Sequence, residues 1–333
     1  MRHRVRMNVS EARSHLLTRA QLERSGLSPR QLSAAVADGT LQRVHRGWYV
    51  PDAVWRTAYT EARHLMRVVV THERQRGTEA VFAFVSAAVL HGLPLLRLRP
   101  QRVHLSGART NGLVASGDRF VARHEVEVPE RDRVVIDGIP CTSLSRTVAD
   151  VVRLAPEPAA LAVADAALRL VAWDGKTRTY DAEADAAFRV DVATHLARFP
   201  RARGVRQARR VLAFADGRAE SPAETLCRLF LRELGFTRLV PQVPVPAPQG
   251  GWFWLDLGLE GVPAWFEFDG AGKYTDPAMR GRLDLPQVLL AEKEREDWIR
   301  ATTRRPLARA GHAHLASAEM LGERLARFQI FPA

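Results

Sequence analysis

The period of hydrophobic and polar positions changes several times along this chain, and each change predicts an element. Near the N-terminus the helical stretches are short and well capped. Thr18 precedes RAQLERSG with Gln21 three residues on, and Ser28 is followed by Pro29 and then Gln31. Both spacings set up capping boxes, the second with proline at the first helical position. Gly26 and Gly39 are natural helix stops. Leu41–Val44 and Trp48–Val50 then read as two short strands around Arg46-Gly47. Helix, tight turn, helix and two-stranded wing is the winged helix-turn-helix layout, and it predicts a first domain over residues 1–52.

A longer α/β domain is expected over 53–216. Residues 86–94 form a helix closed by Gly92 and Pro94, 102–106 and 134–136 read as strands, and a helix from about Leu144 carries Arg146 and Asp150. The four-residue spacing of that pair predicts a structural ion pair. Alanine-rich helices follow at roughly 156–170 and 191–215, and no catalytic constellation shows in this stretch. A boundary near Gly217 opens a third domain, 217–333. There Ser221-Pro222-Ala223-Glu224 starts a helix stopped by Gly235, a proline-spaced strand covers 239–246, and a last long helix covers about 286–301. The expected class is a multidomain α/β (α+β) protein.

The segment WFWLDLGLEGVPAWFEFDGAGKY, residues 252–274, breaks the usual pattern. Its two aromatic-rich strands carry Asp256, Glu267 and Asp269 where buried strands rarely hold acid. An ionised carboxylate buried without a partner is costly. With a two-residue turn at Glu260-Gly261, Asp256 and Glu267 become diagonal neighbours on one face, roughly 7–8 Å apart. A two-residue insertion keeps that shared face. Carboxylates so placed suit an oxygen-loving ion such as Mg²⁺ or Mn²⁺, which generates hydroxide and stabilises charge in phosphodiester hydrolysis. Lys273 is placed to assist. Simpler readings stay open: Glu224 as third residue of a capping box, Lys273 as a solvated loop lysine, Asp269-Gly270 as a turn.

Composition narrows the field. An apolar fraction of 46% and a charged fraction of 26% are ordinary for a soluble protein. Cys141 and Cys227 cannot build a disulfide framework or zinc cluster. No apolar run nears the roughly 20 residues that span a bilayer, and the N-terminus lacks a secretion signal's apolar core, so a cytoplasmic protein with no membrane partner is expected. The net charge of +12 favours nucleic acid as partner, although arginine-rich coding in a GC-rich genome gives the same bias.

The helix glutamate Glu224, the strand aspartate Asp256, the run Glu267-Phe268-Asp269-Gly270-x-x-Lys273-Tyr274 and the helix motif Glu292-Lys293-x-Arg295-Glu296-Asp297 together resemble the PD-(D/E)XK nuclease superfamily. The similarity is to its very-short-patch-repair-like, DUF559-type branch, over about residues 217–315. It implies a restriction-endonuclease-like α/β/α core, metal binding by Asp256 and Glu267, and catalytic support from Glu224, Asp269 and Lys273. It also implies DNA-backbone contacts by Lys293 and Arg295. Asp269 stands where many members have lysine, and Arg304–His312 is poor in the β-branched residues of the usual last strand.

The front end has its own resemblance. Residues 16–51 with Arg46-Gly47-Trp48-Tyr49-Val50, then Ser86-Ala87-Ala88, His91-Gly92-Leu93 and Thr142–Asp150, look like AbiEi-type antitoxins of type IV toxin–antitoxin systems over about 10–215. In a winged module the second helix enters the major groove, which puts Ser28, Arg30, Gln31 and Ser33 near base edges and Arg43 and Arg46 on phosphates. The first expectation is a DNA-binding protein with a Mg²⁺-dependent endonuclease domain. The alternative is a non-catalytic, antitoxin-like repressor whose last domain only binds DNA or a toxin partner.

Overall fold

Capping chemistry sets the N-terminal helices of the computed structural model, which describes residues 7–75, 80–107, 119–198, 200–270 and 285–333. Asn8 with Glu11 caps α1 (Val9–His15), Thr18 with Gln21 caps α2 (Arg19–Arg24), and Ser28 with Gln31 caps α3 (Pro29–Ala37), each as a complete capping box. β1 (Leu17–Thr18), β2 (Leu41–His45) and β3 (Trp48–Pro51) form a three-stranded sheet in the order β1-β3-β2. Leu22 of α2, Leu32 of α3, Leu41 and Tyr49 close a small core beneath it. The winged helix-turn-helix layout is thus present, with Gly47 at φ +77° turning the wing.

The chain continues through α4 (Asp52–Thr57), α5 (Thr60–Arg74), β4 (Val81–Phe82), α6 (Phe84–Leu90), β5 (Val103–Ser106) and β6 (Val121–His124). Then come β7 (Arg133–Ile136), β8 (Ile139–Thr142), α7 (Leu144–Leu154) and α8 (Glu157–Ala172). The mixed sheet runs β6-β5-β4-β8-β7. One core joins it to the winged module, because Val9, Val44 and Val50 pack in the same cluster as Met66, Phe82, Leu105 and Ile139. Where the sequence suggests a domain border at 52/53, residues 3–167 and 186–214 therefore form one compact unit.

The predicted helix over 191–215 is two helices, α9 (Ala182–Ala197) and α10 (Val205–Phe214). Gly204 lies between them at φ +84°, and a Cβ there would stand 1.8 Å from the Arg153 carbonyl oxygen. Arg146 and Asp150 do form the predicted ion pair, at 3.0 Å. Buried Asp132 adds to it: Arg146 lies 3.5 Å away and Arg198 of neighbouring sequence after α9 binds it directly. These bridges tie the turn before β7 to α7.

The second unit comprises residues 168–185 and 215–333. Its strands are the pair β9 (Trp173–Asp174) and β10 (Thr179–Tyr180), and the sheet β11 (Arg238–Pro246), β12 (Trp252–Glu260), β13 (Ala264–Phe268), β14 (Leu307–Ala310). Its helices are α11 (Pro222–Glu233), α12 (Leu285–Thr303) and α13 (Ala318–Ala326). β14 runs parallel to β13 despite its composition. Residues 168–185 join this unit through specific ties. Arg178 donates to Gln242 (2.6 Å) and Glu220 (3.0 Å) and lies 4.7 Å above the Trp254 ring. Ile299 of α12 packs on Val245, Leu255, Trp265 and Leu307.

A buried histidine relay crosses the first unit. The His104 backbone N–H donates to Ser86 Oγ (2.9 Å), and the same hydroxyl is hydrogen-bonded to His64 Nε2 (2.9 Å). Burial, with Arg67 and His104 nearby, pushes His64 down to about 3, and burial beside His124 pushes His104 to about 4. Below the ordinary histidine value the unfolded chain takes up protons that these folded rings refuse, so stability falls as pH drops from about 6.5. Denaturant midpoints at pH 7 and pH 5 should show this loss, and His64→Gln should shrink it. An acid loss of the same size in the variant contradicts the assignment.

Candidate nucleic-acid interface and the acidic hairpin

The recognition side of the winged module is polar and open. Arg30, Gln31 and Ser33 lie exposed on α3, and Arg43 and Arg46 lie exposed on the wing. None of the three arginines makes an ion pair among the described residues. Three of the predicted readers are already engaged: Gln31 Oε1 accepts the Ser28 N–H (2.9 Å) and hydroxyl (2.8 Å), and the Ser33 hydroxyl donates to the Pro29 carbonyl (2.9 Å). Ser28 is therefore a cap, and Gln31 offers only its amide N–H₂ outward. Arg30, Arg43 and Arg46 remain as the free cationic groups of this face.

Charge is divided between the units. Residues 3–167 and 186–214 hold 30 Lys and Arg against 17 Asp and Glu, net +13, while all other residues hold 19 against 20, net −1. Attraction for a polyanion belongs to the winged unit. Arg201, Arg203, Arg206, Arg209 and Arg210, all exposed around α10, were not singled out in the sequence, although five arginines in ten residues were visible there.

In the acidic hairpin the predicted register moves by two residues, with Leu259 opposite Ala264 and Leu257 opposite Phe266. The shared face is lost for a different reason. A Cβ on Gly258 would lie 3.0 Å from both Trp265 and Val243, and Leu255 packs with those same two residues. Residues 255 and 258 on one side violate the period of two. The irregularity lies at Asp256-Leu257, with Gln242 at φ +55° on the neighbouring strand.

The acids accordingly find separate partners. Asp256 Oδ2 accepts the Phe268 backbone N–H (2.7 Å). Glu267 is gripped by both arms of Arg295, at 2.6 and 3.1 Å, with Arg309 3.2 Å away. Arg295 also donates to the Trp254 carbonyl (2.9 Å), so it faces the sheet and not a DNA backbone, contrary to the expectation for it. Lys293 is exposed on α12. Asp269 follows β13 with its N–H bonded to the Ala310 carbonyl (2.9 Å). Lys273 lies outside the described residues.

Glu224 takes the bland role. It accepts the Ser221 hydroxyl (2.9 Å) and the Glu220 N–H (2.8 Å), while Ser221 Oγ accepts its N–H (3.2 Å). Burial and the charge of Asp256 push its carboxyl up to about 8. Among the described residues no three His, Cys, Asp or Glu side chains stand together as a metal site. Asp256 and Glu267 are each already engaged, by a backbone N–H and by two guanidinium groups, and no reaction step is derived through Mg²⁺ or Mn²⁺.

Comparison with known proteins agrees with the front end of this picture. Residues 9–51 match the family described as transcriptional regulator, AbiEi antitoxin, and residues 80–199 match AbiEi antitoxin C-terminal domain. These two stretches are similar to AbiEi antitoxin domains. Neither match reaches the expected nuclease region, and that resemblance gains no support. No curated protein matches. Among solved structures, the RV2827C protein from Mycobacterium tuberculosis is 14% identical, over 72% of this chain and 87% of that one, with a TM-score of 0.33. No helix of the described residues is long and apolar enough to cross a membrane.

Two stability measurements follow from the acids. The unfolded chain releases the Glu224 proton near the ordinary carboxyl value while the folded chain keeps it to about 8. The unit therefore loses stability as pH rises through that window and is insensitive above it; Glu224→Gln should flatten the slope. Glu267→Gln leaves two guanidinium groups without their shared anion and should cost about 3–5 kcal/mol in denaturant unfolding. An unchanged or raised stability would mark Glu267 as a functional residue held at a structural cost.

Proposed function

We propose that this protein is a DNA-binding transcriptional regulator of the toxin–antitoxin type, with a C-terminal unit that binds without cutting. The observation that carries the reading is the coincidence of three things in one unit: the winged helix, three free exposed arginines on its DNA-facing surfaces, and the net charge of +13. The family matches over 9–51 and 80–199 support the same reading. α3 presents Arg30 and the Gln31 amide to base edges, and Arg43 and Arg46 neutralise phosphates on either side of the groove.

The near-neutral C-terminal unit adds little attraction for DNA, which suits contact with a protein such as the toxin. Its carboxylates serve the fold: Glu267 anchors Arg295 and Arg309, and Glu224 accepts from Ser221 and Glu220 at the start of α11, which Ser221 caps.

Fluorescence anisotropy with duplex from the protein's own upstream region tests the proposal. Affinity should fall steeply with salt, and Arg43→Ala and Arg46→Ala should each lower the slope of log K against log salt by about 0.9. Arg30→Ala should cost about 1–3 kcal/mol on the specific site and little on random duplex. Salt slopes unmoved by both wing substitutions would refute DNA binding through the wing. Supercoiled plasmid should survive incubation with Mn²⁺. Nicking that disappears with Asp256→Ala would instead establish a nuclease.

A further inference from the structure

A cavity of about 200 Å³ opens in the winged unit where α1, α5 and α6 meet the turn between β7 and β8. Its floor is apolar and buried: Val9 of α1, Leu65 of α5, and Val89 and Leu90 of α6. A void of about 150 Å³ lined by such side chains already admits benzene. This one has room for a single ring with a short arm. The exposed arginines of α3 and the wing take no part in its wall.

The polar groups on the wall select the charge of an occupant. Asp137 is the one residue there that is charged at pH 7, although the unit around it carries a net +13. Its carboxylate is exposed, has no partner among the described residues, and sits in a turn where Asp137 and Gly138 both have positive φ, +48° and +81°. His91 follows α6, and its Nε2 meets the Thr142 carbonyl at 2.8 Å. A carbonyl only accepts, so Nε2 carries the proton; burial lowers the ring below its ordinary value, and neutral Nδ1 is a bare acceptor. Asn8 uses its side-chain oxygen to accept the Glu11 N–H, at 2.8 Å, and keeps only its amide N–H₂ to offer. An anion here would face a carboxylate and a lone pair. An ammonium group finds two acceptors, one of them charged.

From this we propose that the cavity binds a small organic cation, an ammonium group carried on an apolar body about the size of one aromatic ring. The body lies on Val9, Leu65, Val89 and Leu90, and the ammonium pairs with Asp137. A neutral analogue keeps the apolar contact and loses the ion pair. An anionic analogue meets Asp137 as a like charge. The site is independent of DNA binding by α3 and the wing, and so is its test.

Isothermal titration of the full chain with phenethylammonium, 2-phenylethanol and phenylacetate tests it, because the three share a ring and a two-carbon arm and differ in charge. Phenethylammonium should bind about fivefold more tightly than the alcohol, the upper range for an exposed ion pair, and phenylacetate most weakly. Added salt should narrow that preference by screening the pair. Asp137→Asn keeps the turn, since asparagine tolerates positive φ, and should bring the cation level with the alcohol while the thermal melt stays that of the wild type. Met7→Trp, which puts a larger side chain in the half-buried wall, should weaken cation and alcohol together. Equal binding of cation and alcohol by the wild type overturns the proposal, as does a cation that fails to bind at about 10 mM. A charge preference that survives Asp137→Asn, or binding untouched by Met7→Trp, places the ligand elsewhere and overturns it equally.

Discussion

A carboxylate inside a sheet must be met by a positive or hydrogen-donating group, and the C-terminal unit is organised around how that is done at Glu267. Arg295 reaches from α12 to grip both carboxylate oxygens and also the Trp254 carbonyl, so one guanidinium joins the helix to β12 and β13. Arg309 reaches the same carboxylate from β14 and faces Glu296 of α12 at 3.4 Å. Planar, always-charged guanidinium suits such bridging better than a lysine point charge. The sequence LARA has little strand propensity. It is a strand because Leu307, Ala308 and Ala310 are buried beside β13 and Arg309 is held by acids on two elements.

The division of charge gives the two units different physical characters. The winged unit carries the excess of arginine, yet its interior charges are nearly all matched: Asp132 is shared by Arg146 and Arg198, and burial is offset there by Arg198, so the carboxyl stays below its usual range. Its net charge is therefore a surface property, available to a polyanion. The other unit has its charges balanced, and Arg169, Arg178, Arg295 and Arg309 lie against Trp173, Glu220, Trp254 and Glu267. An even genome-wide arginine bias would raise both units alike. The segregation therefore points to DNA more strongly than the total of +12 does.

Local rules written over a few residues were legible. The Thr18/Gln21 and Ser28/Gln31 boxes, the Gly26 and Gly39 stops, the wing and the Arg146–Asp150 pair all follow from spacing, because their partners are within four residues or one turn. The site in the hairpin was not legible, because its argument needed unbroken alternation across two strands. Only long-range packing of Leu255, Gly258, Val243 and Trp265 shows where alternation fails. Arg295 was read as facing DNA for a related reason: a helix face is visible in sequence, but whether it meets solvent or a sheet is decided by α12 docking through Ile299. The return of residues 168–185 to the C-terminal unit rests on Arg178 contacts more than forty residues distant, which no local pattern signals.

Three acids in this unit look alike in sequence, and the fold treats each differently. Glu267 receives guanidinium groups. Asp256 receives a backbone N–H of Phe268. Glu224, buried beside Asp256 with no cation close enough to outweigh burial, keeps its proton up to about 8 and so is largely neutral at pH 7. That last solution bears on the pair: the charge of Asp256 is part of what raises Glu224, and a proton held on Glu224 relieves the repulsion between them. Acid in a buried strand is a demand for neutralisation, and a metal is one of several ways to meet it. In this chain arginine, amide and proton each meet it once, which is why the same residues that suggest a metal site can hold a sheet together without one.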